Sequence, residues 1–239
     1  MSSNLTPSFK LMGSSWRLYK KGFFSFISMY LWGLLGVVPL GIVAVIGAVL
    51  YKFANWQNVL FFVVFGILGL AALAWAIYYL TRAKIGWLVL IKNDFSDVRK
   101  AFKESRPYFW RYFWSSLVTG LIVFALFFFL IVPSIVAAVF YAFASVVIIF
   151  EEKRTFSSIE RSYDLVKNNW WPVFGRIALL ALFAIIISSI LNIPEPHLIG
   201  RAHNLYVSLI NVFWALVGPY FLVFNYMLYL DVKKNGESK

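Results

Sequence analysis

Cysteine is absent from this 239-residue chain, and charged residues are scarce. Without cysteine there is no disulfide, no thiolate nucleophile and no thiolate metal ligand. Asp, Glu, Lys and Arg make up 13% of the residues, whereas a soluble domain carries about 25%. The sequence also lacks a phosphate-binding glycine loop, a GxSxG motif and an HExxH motif, so it offers no activated nucleophile or metal-ligand set. We therefore expect no enzyme activity, no cofactor and no metal site.

Hydrophobic residues are abundant instead, at 62% of the chain. They form five long uncharged runs, and about 20 apolar residues are enough for a helix to cross the roughly 30 Å of membrane hydrocarbon. The third run is too long for one crossing and fits two, divided at Pro133. The sequence therefore predicts one all-α polytopic membrane domain over residues 1–239. Its six transmembrane helices are expected at about residues 23–50, 57–81, 111–132, 134–150, 171–191 and 205–230.

One sequence pattern occurs three times along the chain. When Phe9 is aligned with Phe95 and Phe156, a basic residue falls at the same place in each copy, followed by a pair of aromatic residues. The last two copies stay aligned as far as Pro133 and Pro194. The pattern predicts three repeated hairpins, with repeat units at about residues 7–81, 94–150 and 156–230.

Each repeat begins with a short basic segment whose apolar residues follow helical spacing. In the third copy, Phe156, Ile159 and Tyr163 fall on one face, and charged residues surround the other. A short helix of this kind lies in the membrane interface rather than crossing the bilayer. We therefore expect an interfacial amphipathic helix before each hairpin, at about residues 7–20, 94–106 and 156–168.

The distribution of Lys and Arg predicts the orientation of the helices. Of the 22 basic residues, only Lys52 and Arg201 fall on one side of the predicted spans, which leaves 20 on the side of the two termini. Positively charged loops remain in the cytoplasm. We therefore expect both termini and all three amphipathic helices to be cytoplasmic. Basic residues placed at span ends favour membrane lipid over nucleic acid as the partner.

Four basic residues are candidates for binding anionic lipid headgroups or the acidic surface of a partner. Lys20, Arg106 and Lys167 occupy the shared repeat position, and a guanidinium such as that of Arg106 can hold a phosphate through two hydrogen bonds. The alternative is that they only set the orientation of the helices. Arg176 lies inside the fifth span, where it either binds a headgroup or extends its charge to the cytoplasmic surface.

Two pairs of polar residues are candidates for a polar site within the helix bundle. Glu151 and Glu152 end the fourth span, where they either bind a proton or cation or form ion pairs with nearby basic residues. Ser188 and Asn192 lie in the fifth span. They either line a pathway or form hydrogen bonds between helices.

The small residues of the fourth span predict where it packs. Ser134, Ala138 and Ala142 recur at every fourth position, which lets helix backbones approach closely. We therefore expect this face of the fourth span to be central in the bundle, and the Phe-rich third span to face lipid.

Four sequence segments carry a resemblance to a known family: AFKESRPYFWRYF, IVPSIV, VVIIFEE and SSIERSYDLVKNNWWPVFG. Together they resemble the membrane domain attached to some glycerophosphoryl diester phosphodiesterases and its stand-alone prokaryotic relatives of unknown function. The resemblance implies a location in a prokaryotic cytoplasmic membrane. The catalytic part of the two-domain enzymes is a separate soluble barrel, for which this chain has no room, so no activity carries over.

Composition, repeats and orientation together favour a non-enzymatic function. We expect an integral membrane protein that organises or senses lipid, or that scaffolds partners, at the cytoplasmic leaflet. Its expected partners are membrane lipids with anionic headgroups and a membrane-protein partner. The alternative is a small-solute or lipid transporter, because transporters are often built from repeats.

Overall fold

The computed structural model describes residues 5–53, 59–194 and 200–237, and these residues form helices and short connections without any strand. Three short helices stand outside the spanning segments or at their ends: α1 (Ser8–Lys21), α5 (Val98–Glu104) and α9 (Thr155–Lys167). The remaining helices are α2 (Phe23–Leu34), α3 (Val38–Phe53), α4 (Val59–Lys92), α6 (Phe109–Phe129), α7 (Ile131–Phe140), α8 (Ala144–Phe150), α10 (Trp170–Asn192) and α11 (Arg201–Glu237). Two 3-10 turns, Leu35–Val37 and Arg106–Tyr108, interrupt the series.

Six helical segments are long and apolar enough to cross a membrane, which confirms the predicted number of spans. Large apolar side chains are exposed along them, including Phe128 and Phe129 of α6 at 75% and 83%. A surface of this kind requires lipid around it. The six segments are Phe23–Lys52, Val59–Lys92, Val98–Phe129, Ile131–Phe150, Trp170–Asn192 and Arg201–Gly236.

Residues 22–113 form one compact unit, in which α2 packs along α4. Two glycines permit the close approach to α4: a Cβ added at Gly36, in the 3-10 turn after α2, would lie 2.1 Å from the Cβ of Tyr79, and one at Gly86 would lie 2.6 Å from the sulfur of Met29. The second span was expected to end at residue 81, but α4 continues to Lys92. The extension forms the core of the unit, because almost all of its residues are buried between α2 and α5.

The helix expected at residues 94–106 begins four residues later, at Val98. Asp94 and Phe95 have φ values of 51° and 62°, a region that excludes them from a right-handed helix. Asp97 then caps α5, because its carboxylate accepts hydrogen bonds from the backbone N–H groups of Arg99 and Lys100 at 2.8 and 3.2 Å.

The other compact unit combines residues 1–21 with residues 114–239. Its core contains α8 and the last part of α11, where Phe143, Ile148, Phe224 and Leu228 are at most 1% exposed. Helix α9 packs against α8, and α1 packs along α11. The exposed part of the unit lies along α6, α10 and the first part of α11.

The fourth span is interrupted, although the sequence predicts one helix over residues 134–150. Helix α7 ends at Phe140 and α8 begins at Ala144. The hydroxyl of Ser162 donates to the Phe140 carbonyl at 2.7 Å and accepts the N–H of Phe143 at 3.1 Å. The amide of Asn225 donates to the Ala142 carbonyl at 2.8 Å. These side chains replace the backbone partners that the break removes, which allows a break within an apolar helix.

The predicted packing face of the fourth span is partly wrong. Ser134 is buried as expected, but Ala138 is exposed and Ala142 lies within the break. The buried residues of α7 are Ser134, Ala137 and Val139. The contact therefore follows Ala137 rather than Ala138, because α7 is a short separate helix whose direction is set by its contacts with α9 and α10.

Candidate functional site

The three basic residues at the shared repeat position are all exposed. Lys20 lies in the last turn of α1, and its Nζ lies 5.3 Å from the centre of the Trp16 ring. Arg106 begins the 3-10 turn after α5. Lys167 ends α9 and donates to Asp164 at 2.7 Å, which raises the pKa of Lys167 and lowers the pKa of Asp164. Lys20 and Arg106 are therefore placed to meet an anion directly, whereas Lys167 shares its charge with a carboxylate.

Arg176 is 8% exposed and holds backbone groups together. Its guanidinium donates to the Thr6 carbonyl at 2.6 and 3.2 Å and to the Pro172 carbonyl at 2.9 Å. Thr6 in turn donates its N–H and its hydroxyl to the carboxylate of Asp231, at 2.9 and 2.7 Å. All three guanidinium nitrogens are therefore engaged with the chain, in an arrangement that fastens the segment before α1 to α10 and α11.

Glu151 is the centre of a cluster of charged and polar groups that joins α8, α9 and α11. Its side chain is 11% exposed and meets the Nε of Arg161 and the Nζ of Lys233, each at 3.2 Å. The hydroxyl of Tyr229 donates to it at 2.7 Å. Burial alone would raise the pKa of Glu151, but the hydrogen bonds from Tyr229 and Lys233 and the charges of Arg161 and Lys233 outweigh burial and lower it. Glu151 is therefore ionised at neutral pH and links three helices.

The other predicted polar residues occupy different environments. Glu152 is exposed and has a φ of 56° at the turn between α8 and α9. Ser188 and Asn192 lie one turn apart on α10, where the Asn192 amide donates to the Ser188 hydroxyl at 3.4 Å. That contact lies within one helix and is exposed.

Arg82 was missed by the sequence analysis, because its charge made it appear to end the second span. It is 8% exposed, and its Nε donates to the Ser105 hydroxyl at 3.1 Å. Its Nη2 donates to the Phe102 carbonyl, and its guanidinium carbon lies 4.1 Å from the centre of the Phe102 ring. Arg82 therefore fastens α5 to α4. In the sequence, the only signal for this role is that the apolar residues keep their helical spacing beyond residue 81.

A polar pocket of about 230 Å³ adjoins the Glu151 cluster. It lies between α9 and the end of α11, and its lining includes Arg161, Asp164, Asn169 and Lys233. The two cations face it together with one carboxylate, so the lining is polar with mixed charge.

An apolar cleft of about 370 Å³ lies between α1, α10 and α11, and we call it the α1/α10/α11 cleft. Two tyrosines of the lining are hydrogen-bonded to the backbone: the hydroxyl of Tyr19 donates to the Leu216 carbonyl at 2.7 Å, and that of Tyr220 donates to the Met12 carbonyl at 3.4 Å. Burial raises the pKa of Tyr19, so its hydroxyl stays neutral. The full lining is Met12, Trp16, Tyr19, Leu180, Phe183, Ala184, Ile187, Phe213, Trp214, Val217, Tyr220 and Phe221.

Comparison with known families gives one match. Residues 112–231, half of the chain, match the family described as a domain of unknown function, DUF7847. The chain belongs to this family. No curated protein and no solved structure matches the chain.

The matched part of the DUF7847 chain runs from the start of α6 almost to the end of α11. It contains Arg176, the break between α7 and α8, and the Glu151 cluster except for Lys233. It also contains the walls that α10 and α11 contribute to the cleft, but not α1. Of the four basic residues predicted to bind lipid, Lys167 and Arg176 lie inside the match, whereas Lys20 and Arg106 lie outside it.

Proposed function

We propose that this DUF7847 protein is a non-enzymatic multi-pass protein of a prokaryotic cytoplasmic membrane. In this proposal it organises or senses anionic lipid at the cytoplasmic leaflet, where it can also scaffold a membrane-protein partner. Its three hairpins each follow an amphipathic helix that lies at that leaflet. The proposed relationship to the membrane domain of glycerophosphoryl diester phosphodiesterases concerns this membrane part alone.

One observation carries the proposal. The residue five positions before each shared cation is completely buried: Ser15 in α1, Ala101 in α5 and Ser162 in α9 are all 0% exposed. Each short helix therefore packs a small residue against a neighbouring helix, and the basic residue five positions later stays exposed. The same division recurs in three segments, so it supports a common role for Lys20, Arg106 and Lys167 at the surface. Each such cation contributes about 1 kcal/mol towards an anionic bilayer.

The order in which the short helices pack supports the threefold repeat. Helix α5 packs on α4 of the first repeat, α9 packs on α8 of the second, and α1 packs on α11 of the third. Each amphipathic helix thus packs on the last helix of the preceding repeat, and the helix of the first repeat packs on the last helix of the third. Helices α4 and α11 are long enough to extend beyond the membrane and contact a short helix there. They have 34 and 37 residues, whereas one crossing needs roughly 20.

The lipid proposal is tested by changing the three repeat cations together to glutamine, as Lys20→Gln, Arg106→Gln and Lys167→Gln. The matched control changes three other exposed cations of the same charge types, as Lys10→Gln, Lys103→Gln and Arg154→Gln. Both variants are purified in mild detergent, and the retained phosphatidylglycerol and phosphatidylethanolamine are measured by mass spectrometry. We expect selective loss of phosphatidylglycerol from the first variant only. Equal retention by both variants would contradict the proposal.

The proposed orientation has a direct test, because the chain contains no cysteine of its own. Single substitutions Lys52→Cys and Arg201→Cys should react with a membrane-impermeant maleimide on intact cells. Lys100→Cys and Lys234→Cys should react only after lysis. Labelling of the second pair on intact cells would show that the termini lie outside.

A transporter remains the second candidate, and the interrupted fourth span favours it. Broken helices at substrate sites are common in transporters. The Oδ1 atom of Asn225 is buried beside the break and has no hydrogen-bond partner among the described residues. Lipid transport can be measured in liposomes as dithionite reduction of a fluorescent phosphatidylglycerol, with Asn225→Leu as the variant. A rate equal to that of protein-free liposomes would contradict lipid transport and leave only small-solute transport as the second candidate.

A further inference from the structure

We propose that the α1/α10/α11 cleft binds one acyl chain of an anionic phospholipid, whose headgroup is held by Lys20. The inference rests on the proposed function and deepens it. It adds a discrete, saturable site to the general attraction between surface cations and the bilayer.

The position and lining of the cleft fit an alkyl chain. Two of its walls, α10 and α11, are candidate membrane spans, so the cleft opens to the hydrocarbon of the bilayer. The two helices meet near one end, where the hydroxyl of Tyr206 donates to the Leu191 carbonyl. They separate towards the middle, where Leu180, Ala184 and Val217 line the space between them. Its volume of about 370 Å³ is at the small end for ligand sites, which suits one chain better than a helix of a partner.

The lining leaves little for a polar ligand to bind. Its two tyrosine hydroxyls already donate to backbone carbonyls. The other lining side chains are aliphatic or aromatic, with the indoles of Trp16 and Trp214 among them, and apolar cavities exclude water. An alkyl chain therefore fits the cleft, whereas a sugar, an amino acid or an ion would lose its hydration without replacement.

The charge at one end selects an anionic headgroup. Trp16 and Tyr19 of α1 line the cleft, and Trp and Tyr are the residues that concentrate at the membrane interface. Lys20 follows directly, with its Nζ 5.3 Å from the centre of the Trp16 ring. Its ammonium group therefore lies over a residue that lines the cleft, where a phosphate attached to the enclosed chain would be expected. Arg17 and Lys21 add positive charge in the same turn.

The experiment fills the cleft with a larger side chain. In Ala184→Phe the new ring occupies space that the acyl chain needs. In Ala181→Phe, on the same helix, the ring is added at an exposed position outside the lining. Delipidated protein in detergent is titrated with dioleoyl phosphatidylglycerol, dioleoyl phosphatidylcholine and oleic acid, and bound molecules are counted by native mass spectrometry. Melting temperature and elution volume show whether each variant is folded.

We expect one tightly bound phosphatidylglycerol on the unmodified protein and on Ala181→Phe. Ala184→Phe should bind it at least about tenfold more weakly. The acyl chain can enter only if the added ring is displaced, and the free-energy cost of that displacement corresponds to a tenfold or larger loss of affinity. Lys20→Gln should weaken phosphatidylglycerol by about fivefold and leave phosphatidylcholine unchanged, because one interfacial cation contributes about 1 kcal/mol. Lys10→Gln is the matched control on α1, where it is also exposed.

Three results would overturn the inference. The first is equal phosphatidylglycerol binding by Ala184→Phe and Ala181→Phe when both are folded. The second is equal affinity for oleic acid and phosphatidylglycerol, which would identify a fatty-acid site instead. The third is an unchanged lipid preference in Lys20→Gln. If the cleft variants bind normally while the triple glutamine variant still loses phosphatidylglycerol, the inference fails and the proposed function stands. If the cleft variants and the triple glutamine variant all keep their bound phosphatidylglycerol, both the inference and the proposed function are refuted.

Discussion

Replacement of Glu151 by glutamine should destabilise the protein more than any other single loss of a charge in the Glu151 cluster. The substitution keeps the shape of the side chain but removes the charge that Arg161 and Lys233 share, each at 3.2 Å. It also weakens the hydrogen bond from Tyr229 at 2.7 Å. Hydrogen bonds to charged groups contribute about 1.5–3 kcal/mol each. The two cations are 31% exposed, so water replaces part of what they lose.

We therefore expect a net loss of about 2 kcal/mol, below the 3–5 kcal/mol of a fully buried pair. For a chain of this size that corresponds to a fall in melting temperature of roughly 4–8 °C. The assay is thermal unfolding in detergent followed by tryptophan fluorescence. Glu160→Gln is the matched control, because Glu160 is exposed on α9 next to Arg161, and its change should stay within about 0.5 kcal/mol.

The pH dependence provides a second check on Glu151. Its pKa is lower in the folded protein than the ordinary value of 4.5. A carboxyl group of this kind stabilises the folded state above its unfolded pKa and loses that contribution as the pH falls through the folded pKa. The difference in melting temperature between wild type and Glu151→Gln should therefore be full at pH 7 and shrink below pH 4.5. Equal melting temperatures at pH 7, or a difference that grows in acid, would refute the assignment of Glu151 as the centre of the cluster.

Three further substitutions test the packing of the helices by thermal unfolding in detergent. Gly36→Ala should cost about 1–3 kcal/mol, because its new Cβ would lie 2.1 Å from a side chain of α4, whereas Gly41→Ala has nothing within 4 Å and should be neutral or stabilising. Ala137→Leu should be costly and Ala138→Leu tolerated, and the reverse order would restore the face expected from the sequence. Ser162→Ala should cost about 1–3 kcal/mol, since a buried N–H at the break loses its acceptor; an unchanged melting temperature would show that another group satisfies it.

The number of spans could be predicted because uncharged length is a local property of the sequence. The ends of the spans could not, and Arg82 shows the reason. Its charge is satisfied by the Phe102 carbonyl and the Ser105 hydroxyl, which lie at least 20 residues away. A sequence pattern that stops at the first charged residue therefore ends the helix eleven residues too early, at residue 81 instead of Lys92.

The break in the fourth span was unpredictable for a similar reason. Residues 141–143 contain neither proline nor glycine, the usual local signals of a break. The groups that stabilise it, Ser162 and Asn225, lie 19 and 83 residues from the atoms they bind. By contrast, the later start of α5 had a local signal, since Asp97 is a favourable N-cap residue directly before Val98.

The packing of α1 along α11 has a consequence for how the protein is made. Thr6 and Asp231 are separated by 225 positions, so the segment that leads into α1 binds a helix that is synthesised much later. At about 5–20 residues per second, α1 waits roughly 10–45 seconds before its partner exists. During that time its buried face, including Leu11, Ser15 and Tyr19, has no surface to cover it. A chain stopped before α11 should therefore expose α1 to protease, because α1 gains its packing surface only once α11 has been made.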